Sequence, residues 1–255
     1  MIKPLLLCAA AALMLANGPA TAQHSLERPI SALPTPNDPA NSSGDWQTTV
    51  ARTERGHLIG NPDADAQLIE FVSYTCGHCA NFTANGEPAL ELAALAPGKL
   101  GLEVRPVIRN ALDLTITLMA QCGDPAGFKD RHRTFMLGQA EWLDKARNAP
   151  QTQQAIWGRG DKASRMNAAS ALGLKQMLVQ RGLSASELDA CIMDDTAARK
   201  LIEGGQADFD EFGVNSTPSF ALDGKLLQDV HAWDTLYPVL SARFVEAESA
   251  AAAPG

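Results

Sequence analysis

The chain has 255 residues, 45% of them apolar and 20% charged, enough for one or two domains around a sizeable core, which excludes a wholly disordered protein. A net charge of −8 without a basic run excludes a nucleic-acid surface of the usual density. Five cysteines are too few for a disulfide-dense mini-scaffold, so their placement carries the information.

Residues 1–22 read as a secretory signal peptide. Lys3 supplies the positive start, Leu5 to Leu15 a short apolar run, and Ala20-Thr21-Ala22 an A-x-A cleavage site. The run is shorter than the roughly 20 residues that span a bilayer. Cleavage would remove Cys8, leave four cysteines and put the mature chain in an oxidising compartment. Residues 23–56 read as a proline-rich linker, with Pro29, Pro34, Pro36 and Pro39 among polar residues.

The nearly continuous apolar run from Leu68 to Tyr74 predicts a strand buried on both faces. A helical pattern follows from Cys76 to about Ala96, with Gly86 and Pro88 predicting a kink. Alternation predicts a second strand over 100–109, with Pro106 at its end or at a bulge. Residues 112–204 carry helical patterns without a convincing strand. Phe220–Leu227 around Asp223-Gly224 reads as a tight hairpin. Trp233, Leu236, Tyr237, Leu240 and Phe244 predict a closing amphipathic helix, and 249–255 a disordered tail. The order is βαβ, a long helical insertion, then ββα: an α/β chain divided at 57–111, 112–204 and 205–248.

Cys76-Gly77-His78-Cys79 lies between the buried strand and a helix start, which is where a redox C-x-x-C belongs. At a helix N-terminus, unpaired N–H groups and the macrodipole favour an anion. Cys76 is therefore expected as the low-pKa nucleophile. Cys79, one turn on, is the resolving thiol, and His78 is a donor beside the Cys76 sulfur. A structural zinc site would need two further ligands, and the sequence offers neither a second C-x-x-C nor paired histidines.

The segment Glu70-Phe71-Val72-Ser73-Tyr74-Thr75-Cys76-Gly77-His78-Cys79-Ala80-Asn81-Phe82, with the distant Val214-Asn215-Ser216-Thr217-Pro218-Ser219-Phe220, resembles the DsbA family of bacterial envelope thiol:disulfide oxidoreductases. The resemblance covers roughly residues 57–245. It implies a thioredoxin fold with an inserted all-helical domain, a cis Pro218 beside the active pair, and a Thr217 backbone that pairs with an extended substrate segment. It also implies reduced or unfolded exported proteins as substrates, a periplasmic location and a DsbB-type, quinone-linked membrane reoxidant, with neither metal nor organic cofactor. Two residues depart from the family's oxidases: Gly77 stands where proline is frequent, and Thr217 where valine is. Cys-Gly-His-Cys resembles the motif of disulfide isomerases, so an isomerase or reductase stays open. So does an envelope metal-binding chaperone using Cys76 and Cys79.

Glu70 stands alone in its apolar strand, an even number of residues before Cys76. Alternation aims it toward the motif, where it could relay the Cys79 proton; the family resemblance implies the same. Cys122 and Cys191 share the insertion and are expected to bond in an oxidising compartment, with two free thiols or a second redox pair as alternatives. The methionines of the insertion (Met119, Met136, Met166, Met177, Met193) are expected to fill core. His57, His132 and His231 have no ligand-like spacing and are expected at the surface or as caps.

Overall fold

The computed structural model describes residues 45–251. The expectations for the signal peptide, for Cys8, for the linker up to residue 44 and for 252–255 lie outside the described residues.

Two strands precede those anticipated: β1 (Val50–Arg52) and β2 (His57–Gly60). They pair antiparallel with each other, so the fold begins inside the 23–56 segment read as linker. Three-residue and four-residue strands give too little alternation to register in sequence. The long apolar run forms β3 (Ala66–Val72), and its parallel neighbour is β4 (Leu100–Pro106). Pro106 closes β4, where a missing N–H is tolerated.

Between β3 and β4 the helix breaks into pieces. α1 (Gly77–Asn85) stops at Gly86, α2 (Glu87–Leu90) restarts with Pro88 in its first turn, and a π-helical turn over Glu91–Leu95 completes the crossing. Pro88 has no N–H to continue the ladder. A Cβ at Gly86 would sit 2.6 Å from the Phe82 ring, so only glycine lets the turn close over that buried side chain.

The insertion comprises α3 (Ala111–Ala120), α4 (Phe128–Leu137), α5 (Gln139–Arg147), α6 (Gln151–Trp157), α7 (Lys162–Ala171), α8 (Leu174–Val179), α9 (Ala185–Met193) and α10 (Asp195–Phe212). It ends at Phe212, beyond the expected 204. α10 runs on through Gly204-Gly205, where a Cβ at Gly205 would just touch Pro106 and Ile108 backbone atoms at 3.9 Å. Gly213, at φ +69°, terminates it. Met119 and Met136 are buried and Met166 and Met177 pack against the core, whereas Met193 is exposed.

β5 (Ser219–Leu222) and β6 (Lys225–Leu226) form the hairpin, with Asp223 and Gly224 both at positive φ, as the tight two-residue turn requires. α11 (Trp233–Ala251) closes the fold and extends into the segment expected as a disordered tail. The sheet order is β1-β2-β4-β3-β5-β6, which puts β3 at the centre. One contiguous apolar cluster joins Leu68 and Val104 of the sheet, Phe82 of α1, and Phe135, Trp142 and Leu174 of the insertion. The insertion therefore shares its core with the sheet.

Candidate active site

Cys76 is the N-cap residue of α1, with extended backbone angles, and its carbonyl accepts the Ala80 N–H at 3.2 Å. The β3–α1 loop thus delivers the sulfur to the first turn, where free N–H groups point. The Cys76 Sγ lies 3.1 Å from the carbonyl oxygen of Thr217, whose peptide bond to Pro218 is cis. The loop before β5 and the start of α1 therefore meet at this sulfur.

The two thiols of the motif are electrostatically unequal. Hydrogen bonding from Cys79 pulls the Cys76 thiol down to about 4, with help from the Thr217 side chain and the Cys79 and His78 backbone N–H groups against the opposing effect of burial. The Thr217 hydroxyl is buried without another hydrogen-bond partner, which leaves it available to the thiolate. Cys79 is fully buried, and burial pushes its thiol far above the ordinary value, reinforced by Cys76 and by the charge of Glu70. Gly77 and His78 are both exposed. What His78 gives the sulfur is its backbone N–H, not the ring donor expected from sequence.

Glu70 is fully buried, and neither carboxyl oxygen has a hydrogen-bond partner. Burial raises its pKa well above the ordinary range, with the charge of Glu87 adding to it. Burial thus favours the protonated form of Glu70, and its charge bears on the Cys79 thiol.

Several residues that sequence did not single out hold the loop. Gln139, at the start of α5, donates from Nε2 to the carbonyls of Tyr74 (2.7 Å) and Cys76 (2.9 Å). Asp113 of α3 is fully buried and accepts from the Ser73 hydroxyl (2.8 Å), the Thr75 N–H (2.9 Å) and the Thr75 hydroxyl (3.1 Å). Asn110 caps α3 by accepting from the Leu112 and Asp113 N–H groups. That N-cap-like spacing was the only local signal for Asp113, and it does not reveal the loop as partner.

Two of the three histidines correct the surface expectation. His57 is buried and stacks on Phe128 at 3.9 Å; burial, then Arg52, pull its pKa down to about 3. His132 is buried with Nδ1 3.1 Å from the Tyr74 hydroxyl and Nε2 3.2 Å from Glu87. Both lie on short or weakly patterned stretches whose inward face only tertiary packing defines. His231 is exposed, as expected, and its Nδ1 lies 2.7 Å from the Pro218 carbonyl oxygen.

Cys122 and Cys191 form a disulfide with their Cα atoms 5.8 Å apart, tying the end of α3 to α9. Cys76 and Cys79 are thiols.

A family model described as thioredoxin matches residues 52–242. The chain belongs to the thioredoxin family. A solved protein-disulfide isomerase from Novosphingobium aromaticivorans is 38% identical over 74% of this chain and 97% of its own, with a TM-score of 0.71. α-DsbA1 of Wolbachia pipientis shares the fold at 18% identity and a TM-score of 0.61, over 75% of this chain and 92% of its own. A Rickettsia conorii protein named "Putative protein-disulfide oxidoreductase" is 29% identical over 86 residues, so the match spans about a third of that relative (31%) and of this chain (33%). Within the thioredoxin family, the fold, a sheet with a long helical insertion between β4 and β5, is that of the solved Wolbachia pipientis structure.

Proposed function

We propose that this chain is an exported thiol:disulfide oxidase of the periplasm, which passes the Cys76–Cys79 disulfide to reduced, newly translocated proteins. The observation that carries this reading is the split between the two thiols: Cys76 held near 4, Cys79 pushed far up. A stable Cys76 thiolate stabilises the reduced pair, and the disulfide becomes the stronger oxidant.

In the oxidised protein a substrate thiolate attacks Cys76 Sγ. The S–S bond breaks, and its electron pair leaves on Cys79, which takes a proton from Glu70. A second substrate thiolate then attacks the substrate sulfur of the mixed disulfide. Cys76 departs as a thiolate and needs no proton at neutral pH. Two substrate thiols are oxidised and the pair gains two electrons. The Thr217 backbone, facing Cys76, holds the substrate as an added strand. A DsbB-type, quinone-linked membrane protein restores the disulfide.

A disulfide isomerase is the second reading, favoured by the name of the Novosphingobium aromaticivorans relative and by Gly77. The test sets oxidation of a reduced, multi-cysteine protein against reshuffling of its scrambled form. An oxidase accelerates the first far more than the second; the reverse ratio overturns the assignment in favour of the isomerase.

A further inference from the structure

Glu70 has no exit of its own for a proton: it is fully buried and both oxygens lack partners. An unpartnered buried polar group costs stability, which calls for a function. The register shows what lies beside it. Glu70 pairs with Val104 of β4, and Val104 pairs in turn with His57 of β2, so the three share one row on one face of the sheet. Val104 also lines a crevice of about 10 Å³, close to the space one water needs, together with Glu87 and His132. Val104, which the crevice touches, lies one strand spacing, about 4.8 Å, from Glu70. Its rim carries Lys129 and Glu91, both half-buried and joined by an ion pair of 2.9 Å.

Glu87 is the hub. Its Oε1 accepts from the Thr83 hydroxyl at 2.8 Å and lies 3.2 Å from His132 Nε2, and its Oε2 lies 3.6 Å from Arg133. His132 continues to the Tyr74 hydroxyl, and Arg133 to the rim at Glu91 (2.9 Å). Thr83 of α1 and His132 and Arg133 of α4 contact Glu87, Arg133 links it to Glu91, and its charge bears on Glu70 of β3 and Tyr74 of the active-site loop, with His57 held neutral by burial.

We propose that Glu87, supported by His132, is the proton route between Glu70 and solvent. This rests on the reading that Glu70 exchanges a proton with Cys79. The step that exposes the route is closure of the active-site disulfide. Starting from a mixed disulfide between Cys76 and glutathione, Cys79 must give up its proton and attack Cys76, releasing glutathione thiolate. Burial favours the protonated form of Glu70, so in this route its proton leaves through Glu87 to the crevice before the Cys79 proton has a base to go to. The charge of Glu87 acting on Glu70 is consistent with that proximity. Glu87 touches no reacting sulfur and is a positioning and relay residue.

The test follows closure of the disulfide in reduced protein mixed with glutathione disulfide, across a pH series, for wild type, Glu70→Gln, Glu87→Gln and the double variant. In Glu87→Gln the amide keeps an oxygen for Thr83 and His132. The expected result is closure slowed about tenfold at neutral pH in Glu87→Gln, below the 10²–10⁴ of a direct acid–base group. The slowing shrinks as pH rises and hydroxide substitutes, and the double variant is no slower than Glu70→Gln alone. Should Glu87→Gln fail to fold, His132→Gln reads the same route with the same pH signature. Closure at the wild-type rate in Glu87→Gln, with Glu70→Gln slow, overturns the route and leaves Glu70 in place. Wild-type rates in both overturn the Glu70 reading as well. Slowing by one factor at every pH marks a structural role and also overturns the proposal.

Discussion

At the residue scale the chemistry is an asymmetry between two sulfurs three positions apart. Cys76 sits where a helix start and a neighbouring thiol favour its anion; Cys79 sits inside the core, where an anion has nothing to solvate it. The sign of the resulting pH dependence follows. The folded value of Cys76 lies below the ordinary value near 9, so the thiolate's stabilisation of the reduced protein is full above about 9. It weakens as pH falls and is gone once pH passes below about 4. Ultraviolet thiolate absorbance of the reduced protein, against Cys76→Ser as blank, is expected to give a half-titration near 4; a midpoint near 8 contradicts the described site. The motif, its polarity and the inward acid at Glu70 were legible in sequence, because each rests on local spacing relative to one strand end and one helix start. Glu87 and His132 were not, because their partners come from separate elements and no spacing along the chain records that meeting.

At the element scale the insertion is more than an appendage between β4 and β5. α5 reaches back with Gln139 to hold two loop carbonyls, and α3 does the same with Asp113 for the Ser73–Thr75 turn. The active-site loop is thus fixed from two helices whose holding residues follow it by 38 to 65 positions. Gln139→Met keeps the volume and removes both donors. It is expected to lower unfolding stability by about 1–3 kcal/mol in chemical denaturation and to raise the Cys76 midpoint, since the loop that presents the sulfur loosens. An unchanged stability and an unchanged midpoint would contradict the holding role. The long elements were legible: β3, β4, the hairpin and α11 follow from runs, alternation and turn chemistry. The short β1 and β2, and the passage of α10 through two glycines to Phe212, were not. Sheet pairing and tertiary packing decide those, and they override local propensity.

For the whole molecule, the sheet, α1 and the insertion share one core, and the Cys122–Cys191 disulfide ties α3 to α9 within it. On the far face α10 is locked to the sheet by buried Asp208, which accepts from Arg105 at 2.8 Å and Arg55 at 2.7 Å. This leaves the Cys76 sulfur framed by the head of α1 and the cis-proline loop. The fold class and the order of its parts were legible; that the sheet and the insertion share one large apolar cluster was not, because apolar periodicity marks a buried face and not what it packs against. We propose that this frame makes the Cys76–Cys79 disulfide an oxidant. Equilibration of the pair with glutathione redox buffers tests it most directly. A reduction potential between about −180 and −120 mV is predicted, and a value near the roughly −270 mV of thioredoxin would contradict it.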